Sequence, residues 1–265
     1  ETTISRITES YFLAYYFYTG SVIVEKFVKN DGVVVFYTFS NGKMYFSGLE
    51  DKYPVKYQKQ GSYVGGLFVF ESKLTQEFRL HFDEKIAEMF QSIGIREGSV
   101  WIEVFHDGEN YYFNEVGFRY GGSVSIYPVD YFYQINQVAA DIHYALTGES
   151  CISEHTSLIR STLPRKKYYC IYPVHINAGT ISSISGLDKI AQLENIVYLA
   201  TTKYLHDRIE SSGSFSQVFA LVHFVCNTTE ECIQTIDRIH QMLVVFDEHG
   251  NNMVNRMLDV GKIIF

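Results

Sequence analysis

The chain has 265 residues, 46% of them hydrophobic and 20% charged, with a net charge of −8. That apolar content closes a substantial core in one or two domains, and with four prolines and no low-complexity tract it excludes a disordered chain. The acidic balance, with Arg165-Lys166-Lys167 as the longest basic run, excludes the electrostatic footprint of a nucleic-acid binder, and no apolar run approaches the ~20 residues of a membrane span. Cys151, Cys170, Cys226 and Cys232 show no CxxC spacing, which argues against zinc and disulfides and for reduced thiols in a cytoplasmic protein. No signal peptide is visible, and a first residue of Glu1 rather than methionine is the mark expected of a piece of a longer protein.

In chain order, residues 5–18 have helical periodicity, with Ile7, Tyr11, Ala14 and Tyr18 on one stripe and Gly20 as a stop. Val22–Val28, Val33–Phe39 and Lys43–Ser47 read as strands, joined by the turn signals Asn30-Asp31-Gly32 and Ser40-Asn41-Gly42. The polar stretch from Asp51 to Gly61, with Lys52, Lys56 and Lys59, reads as a loop. Leu74–Ile93 is an amphipathic helix, with Leu74, Phe78, Phe82, Ile86, Met89, Phe90 and Ile93 inward and Gly94 as its cap. A hairpin follows over 100–117, then a second long helix from Asp130 to Leu146 closed by Gly148. The pattern restarts at Leu163-Pro164-Arg165, where a domain boundary is expected. Tyr168–Ile176, Ile196–Tyr204 and Gln217–Cys226 read as strands, and Thr228-Thr229-Glu230-Glu231 opens a helix with Cys232, Ile236, Ile239 and Leu243 buried. Hairpins dominate, so the fold class is α+β, an antiparallel sheet flanked by helices with a smaller α+β C-terminal domain. The 21 tyrosines and 20 phenylalanines read as packing in these sheets, because no basic residues interleave them.

The hairpin carries the chemistry. Two apolar runs flank Asp107-Gly108, with Glu103 on the first and Glu115 on the second, where a buried strand prefers an aliphatic residue. Carboxylates brought together across a hairpin repel each other unless a cation lies between them. Arg119 and the Gly121-Gly122 pair follow at once and suit an anion, Arg119 through its guanidinium and the glycines through backbone N–H groups. The combination points to a magnesium-nucleotide site. Parity makes that reading testable. A two-residue turn at Asp107-Gly108 pairs Glu103 with Tyr112 and leaves Glu115 on the opposite face, whereas a three- or five-residue loop aligns the two glutamates. A shared metal therefore predicts an odd loop with a bulge near Gly108. The opposing readings are two edge-strand glutamates in solvent, an Arg119–Glu115 ion pair and a plain Gly-Gly turn. The nine histidines form no HxxxH or HxH set, and no nucleophile elbow is present.

At this hairpin, with "GSVWIEVF" and "YYFNEVGFRYGGS", the chain resembles the C-terminal half of an ATP-grasp domain. The resemblance extends over residues 1 to about 160 through "VIVEKFV" and "VGGLFVFESKL". It implies that Glu103 and Glu115, twelve residues apart as the family's acidic ligands often are, hold magnesium, and that Arg119 is catalytic at the transferred group. In the family's acid-x-Asn-x-Arg segment, Glu115 and Arg119 match while Gly117 stands in place of asparagine. The "VEKFV" strand resembles the adenine hinge, so Glu25, Lys26 and Val28 would border the adenine, and Gly32 falls where an acidic ribose contact is often found. "NAGTISSISGLDKIAQL" and "VFALVHFVCNTTEECIQTIDRIHQM" resemble the small domain that follows ATP-grasp in the biotin-carboxylase and carbamoyl-phosphate-synthase-like group. The implied organisation is 1–160 for the C-terminal portion of an ATP-grasp domain and 165–265 for the small domain. The implied activity is a ligase using ATP and Mg2+ (or Mn2+) to activate a small carboxylate as an acyl phosphate for attack by an amine, with a homodimer allowed. Its N-terminal domain, phosphate-binding lysines and glycine-rich lid would precede Glu1. Gly117 and Gly32 support the alternative, a non-catalytic nucleotide-binding or regulatory module; a structural interaction domain rests on aromatic content alone.

Overall fold

Strands β1 (Val33–Ser40) and β2 (Lys43–Lys56) form the first hairpin. Its two-residue turn is Asn41-Gly42, with φ of 51° and 74°, the left-handed pair whose twist matches that of antiparallel strands. The computed structural model describes residues 28, 32–59, 61–152 and 166–265. The predicted helix over 5–18 and nearly all of the predicted strand Val22–Val28 lie outside them, as does the expected boundary at 163–165. β2 continues nine residues beyond the predicted end at Ser47, so Lys52 and Lys56 belong to a strand and not to a loop. The reason is pairing on its far side, where β3 (Tyr63–Phe70) runs from Glu50↔Phe70 to Lys56↔Tyr63 and supplies the hydrogen bonds that the polar side chains of β2 do not advertise.

The remaining strands are β4 (Gly98–His106), β5 (Tyr111–Gly117), β6 (Tyr168–Ile176), β7 (Gly179–Ser185), β8 (Ile196–Thr201), β9 (Arg208–Ile209), β10 (Val218–Cys226), β11 (Val244–Asp247) and β12 (Val254–Asn255). Among the described residues they form a nine-stranded sheet in the order β5-β4-β1-β2-β3-β6-β10-β8, with β12 also on β6, and a three-stranded sheet β11-β7-β9. Every pairing is antiparallel, and β3 joins β6 at Phe68↔Ile171, so strands from both halves of the sequence share one sheet. The helices are α1 (Thr75–Ser92), α2 (Ile126–Tyr133), α3 (Gln137–Thr147), α4 (Leu187–Ala191) and α5 (Thr229–Met242). The α+β architecture expected from the hairpin-rich sequence is present.

All eight residues of β1 are buried, because the sheet is covered on both faces there. Val33, Val35, Tyr37 and Phe39 pack under α1 with Phe78, Ile86 and Phe90. Val34 and Phe36 pack on the other face with Phe70, Tyr169 and Val129 of α2. The inward stripe of α1 is narrower than predicted: Met89 and Ile93 are 47% and 67% exposed, and Ile93 is the C-cap beyond the last helical residue, Ser92. The predicted helix from Asp130 to Leu146 is two helices. Gln134 takes a left-handed φ of 56°, and the Asn136 side chain accepts from Ala139 N at 2.9 Å, starting α3 afresh. The Thr228 cap forms as expected, accepting from Glu231 N at 3.2 Å, but the Glu231 carboxylate reaches back to Asn227 N, one residue before the cap.

Phe78 is fully buried and its ring lies 5.0 Å from Phe82 and 5.5 Å from Tyr111 of β5, so α1 clamps the edge strand. Phe78→Ala is expected to cost about 3–5 kcal/mol in urea unfolding; a loss below ~1 kcal/mol would contradict this packing.

Candidate metal centre

The hairpin β4–β5 closes at His106↔Tyr111, leaving the four residues 107–110 as its loop. Asp107 organises that loop: its Oδ1 accepts from Glu109 N at 3.0 Å and Asn110 N at 2.8 Å, and its Oδ2 accepts from the Tyr112 hydroxyl at 2.9 Å. These bonds, those from the backbone first, hold its carboxyl down at about 2. An even loop alone would set Glu103 opposite Asn114. A register shift between Glu103 and Val104 changes that: Val104 faces Phe113, Glu103 faces Glu115, and Asn114 is the extra residue. The predicted odd loop is thus corrected. Parity is switched by a bulge at Asn114, away from Gly108, and the two glutamates share one face.

The same row continues across the sheet. Glu103 is opposite Val34, Val34 opposite Glu50, Glu50 opposite Phe70, and Phe70 opposite Tyr169. Three carboxyls therefore lie on one face, on β5, β4 and β2. Lys52, two residues along β2 on that face, forms an ion pair with Glu103, and Asn114 Nδ2 donates to the other Glu103 oxygen at 2.7 Å. Glu115 is exposed and has no hydrogen-bond or ion-pair partner among the described residues. Glu50 carried no signal in the sequence, where β2 was expected to have ended. It is 2% exposed, its Oε2 has no partner among the described residues, and burial pushes its carboxyl up to about 8, with Lys52 pulling the other way. A buried carboxyl with an open oxygen either keeps its proton or takes a cation.

Arg119 does not pair with Glu115. Its guanidinium lies 5.1 Å from the centroid of the Trp101 ring, and Nη1 donates to Tyr120 O at 2.8 Å. Trp101 faces Gly117 across the hairpin, and a Cβ on Gly117 would stand 2.1 Å from the indole Nε1. The indole thus occupies the space into which a side chain at 117 would project. Gly121 makes a close approach, since a Cβ there would lie 2.6 Å from Ser125 Oγ, and its N–H already donates to that hydroxyl at 3.1 Å. Gly122 has open space around it. Of the remaining expected site residues, Val28 is described and half-buried, while Glu25 and Lys26 lie outside the described residues. Gly32 takes φ of 67° and its carbonyl accepts from Lys52 N at 3.1 Å, a backbone role at the position where the ribose contact was sought.

Glu50 gives the fold a pH dependence of defined sign. Its folded value lies above the ordinary 4.5, so its contribution is complete below about pH 4.5 and is lost as pH rises to about 8, a total on the order of 4 kcal/mol. In urea unfolding without divalent cations, the wild type is expected to lose this much relative to Glu50→Gln between pH 5 and pH 8; parallel profiles for the two proteins would refute the buried, protonated carboxyl.

No protein-family model and no curated protein matches this chain. Solved structures do resemble it. An L-amino acid ligase from Bacillus licheniformis is 18% identical with a TM-score of 0.69, covering 93% of this chain and 59% of its own. A phosphoribosylglycinamide synthetase from Anaerococcus prevotii is 12% identical with a TM-score of 0.68, covering 84% and 55%. The biotin carboxylase domain of the Hydrogenobacter thermophilus 2-oxoglutarate carboxylase, solved with MgADP and bicarbonate, is 14% identical with a TM-score of 0.67, covering 91% and 52%. The chain spans little more than half the length of each. All three are ATP-grasp enzymes, and the chain has the ATP-grasp fold.

Proposed function

We propose that this chain is the C-terminal portion of a magnesium-dependent ATP-grasp ligase that activates a small carboxylate as an acyl phosphate for attack by an amine. The observation that carries the reading is the register that sets Glu103 opposite Glu115, since a bulge is needed to achieve it. The donor set fits magnesium, which takes oxygen ligands and few protein carboxylates. Glu103 and Glu115 would hold the ion, with the open oxygen of Glu50 on the same face; when bound, magnesium offsets charge on a transferring phosphoryl group. Lys52 balances Glu103 and would meet an anion instead when that carboxylate is engaged by the ion. Arg119, exposed and held by a ring and one carbonyl, would turn to a phosphate or acyl-phosphate oxygen, and the open Gly122 amide would serve the same anion. Glu25, Lys26 and Val28 would border the adenine. The neighbours' names (ligase, synthetase, carboxylase) and the MgADP in one of them agree with this chemistry.

The packing of Trp101 over Gly117 favours a second reading, a nucleotide-binding module without turnover, because a third ligand at 117 has no room. Titration of ATP with and without magnesium into the whole protein separates the possibilities. Magnesium is expected to tighten binding by roughly 10-fold or more, about 1.4 kcal/mol, and Glu103→Gln to abolish that gain. Equal affinities in wild type and variant would sink the metal assignment. Phosphate release that requires both a carboxylate and an amine marks the ligase; magnesium-dependent binding without release across a panel of such pairs marks the module. Gly117→Asn is expected to lose about 1–3 kcal/mol of stability through overpacking, with part of it recovered when Trp101→Ala is added; an unchanged melting curve for Gly117→Asn would contradict the indole placement.

A further inference from the structure

Away from this face, β6, the end of β10 and the first turns of α5 bring Cys170, Cys226 and Cys232 together. Each is fully buried at 0% exposure. The Cys170 sulfur lies 3.7 Å from that of Cys226 and 3.9 Å from that of Cys232, and all three sulfurs fall within 4.8 Å of one another. Nothing in the spacing of these residues announces the cluster, which arises because Cys170 is opposite Phe224. That register places Cys226 diagonally adjacent on the same face, and α5 packs Cys232 onto it.

The geometry selects among the reactions open to three thiols. Diagonal neighbours in an antiparallel ladder have Cα atoms roughly 7–8 Å apart, beyond the ~4.4–6.8 Å span of a disulfide, so Cys170 and Cys226 are poorly placed to oxidise to each other. A metal with bonds to sulfur of about 2.3 Å instead spaces its sulfurs at ~3.8–4.0 Å, close to the 3.7 Å and 3.9 Å from Cys170 to its two neighbours. Cys232 stands in the fourteen-residue helix α5, whose N-terminus is capped by Thr228, so regular backbone holds its sulfur against the two strand cysteines. Among the described residues no histidine, carboxylate or fourth cysteine joins the group. A closed set of three sulfurs suits a soft ion that accepts three-coordination better than zinc, whose structural sites are tetrahedral.

We propose that Cys170, Cys226 and Cys232 bind one soft metal ion of the monovalent-copper class through their three sulfurs. Each sulfur that ligates as thiolate releases its proton to solvent, and no electron is transferred.

The test uses the complete chain, reduced and anaerobic, with Cu(I) supplied from a coloured chelator both to the folded protein and during refolding from urea. One equivalent withdrawn from the chelator by wild type and by Cys151→Ala, which removes the exposed cysteine, and lost in Cys232→Ala, is the expected result. Should Cys232→Ala fail to fold, X-ray absorption on the wild-type copper form decides: three sulfurs near ~2.3 Å support the site, and nitrogen or oxygen in the shell overturns it. Less than a tenth of an equivalent by either route, or uptake that disappears in Cys151→Ala, also overturns it.

Discussion

One extra residue decides which face of the β4–β5 hairpin carries Glu115. Without the bulge at Asn114, the four-residue loop at 107–110 would send Glu115 to the face under α1, against Phe78 and Phe82. A carboxylate there would lie beside the rings of the aromatic clamp. With the bulge, Tyr111 and Phe113 remain on the α1 side, where their rings lie 5.5 Å and 6.3 Å from Phe78, and Glu115 turns to the opposite face. The aromatic clamp and the carboxylate pair are therefore one constraint. The apolar contacts fix β5 at its Tyr111 end, and the bulge spends one residue to reverse the pattern before Glu115. Asn114 has a second part in this, since its amide holds the Glu103 oxygen that Lys52 does not.

The electrostatics follow from the register. Glu50 and Glu103 flank Val34 on neighbouring strands, and a single lysine serves both. Lys52 forms the ion pair with Glu103 and lowers the Glu50 carboxyl from what burial alone would impose. Because Lys52 is engaged at Glu103, its help to Glu50 is incomplete, and Glu50 stays above its ordinary value. A divalent ion at Glu103 and Glu115 would release Lys52 and add positive charge on the same face, so occupancy of the metal position and ionisation of Glu50 are coupled. The opposite ordering, with Glu50 ionised first, meets a desolvation cost that Lys52 offsets only in part.

Much of the fold was legible where local signals agree. Asn41-Gly42 gave the first hairpin, the Phe78–Phe90 row gave α1, and Thr228 with the Cys232–Ile239 stripe gave α5, because turn chemistry and helical period are properties of short segments. β2 beyond Ser47 was not legible, since Glu50, Asp51 and Lys52 are held as strand by pairing to β3, a contact between distant residues. The helix break at Gln134-Asn136 was masked by apolar residues that continue the periodicity across it. In the site, Glu103, Glu115 and Arg119 stood out by type and spacing, and the face they share could be posed as a parity question. The answer needed the bulge, and a bulge in a strand such as Tyr111–Gly117 leaves no mark in a sequence that alternates loosely. Glu50 and the cysteine trio were hidden for the same reason, since only register joins their members.

The row that holds the carboxyls is also a gradient of burial. Tyr169 and Phe70 are fully enclosed, Glu50 is 2% exposed and Val34 7%, the Glu103 side chain is 15% exposed, and Glu115 is open to solvent. The gradient arises because α2 covers the sheet beside β2, β3 and β6, with Val129 clustered with Phe36, Phe70 and Tyr169, while Trp101 and the exposed Arg119 lie at the β4–β5 end. Groups of one chemical type are thus set in graded surroundings along a single line of register, the arrangement by which one fold separates the protonation behaviour of like residues. A hydrated cation arriving from the β5 edge would meet Glu115 first, then Glu103 in exchange for Lys52, with Glu50 the last and least hydrated oxygen donor. Trp101 fills the space beside Gly117, so position 117 would add no protein oxygen to an ion held by Glu103 and Glu115.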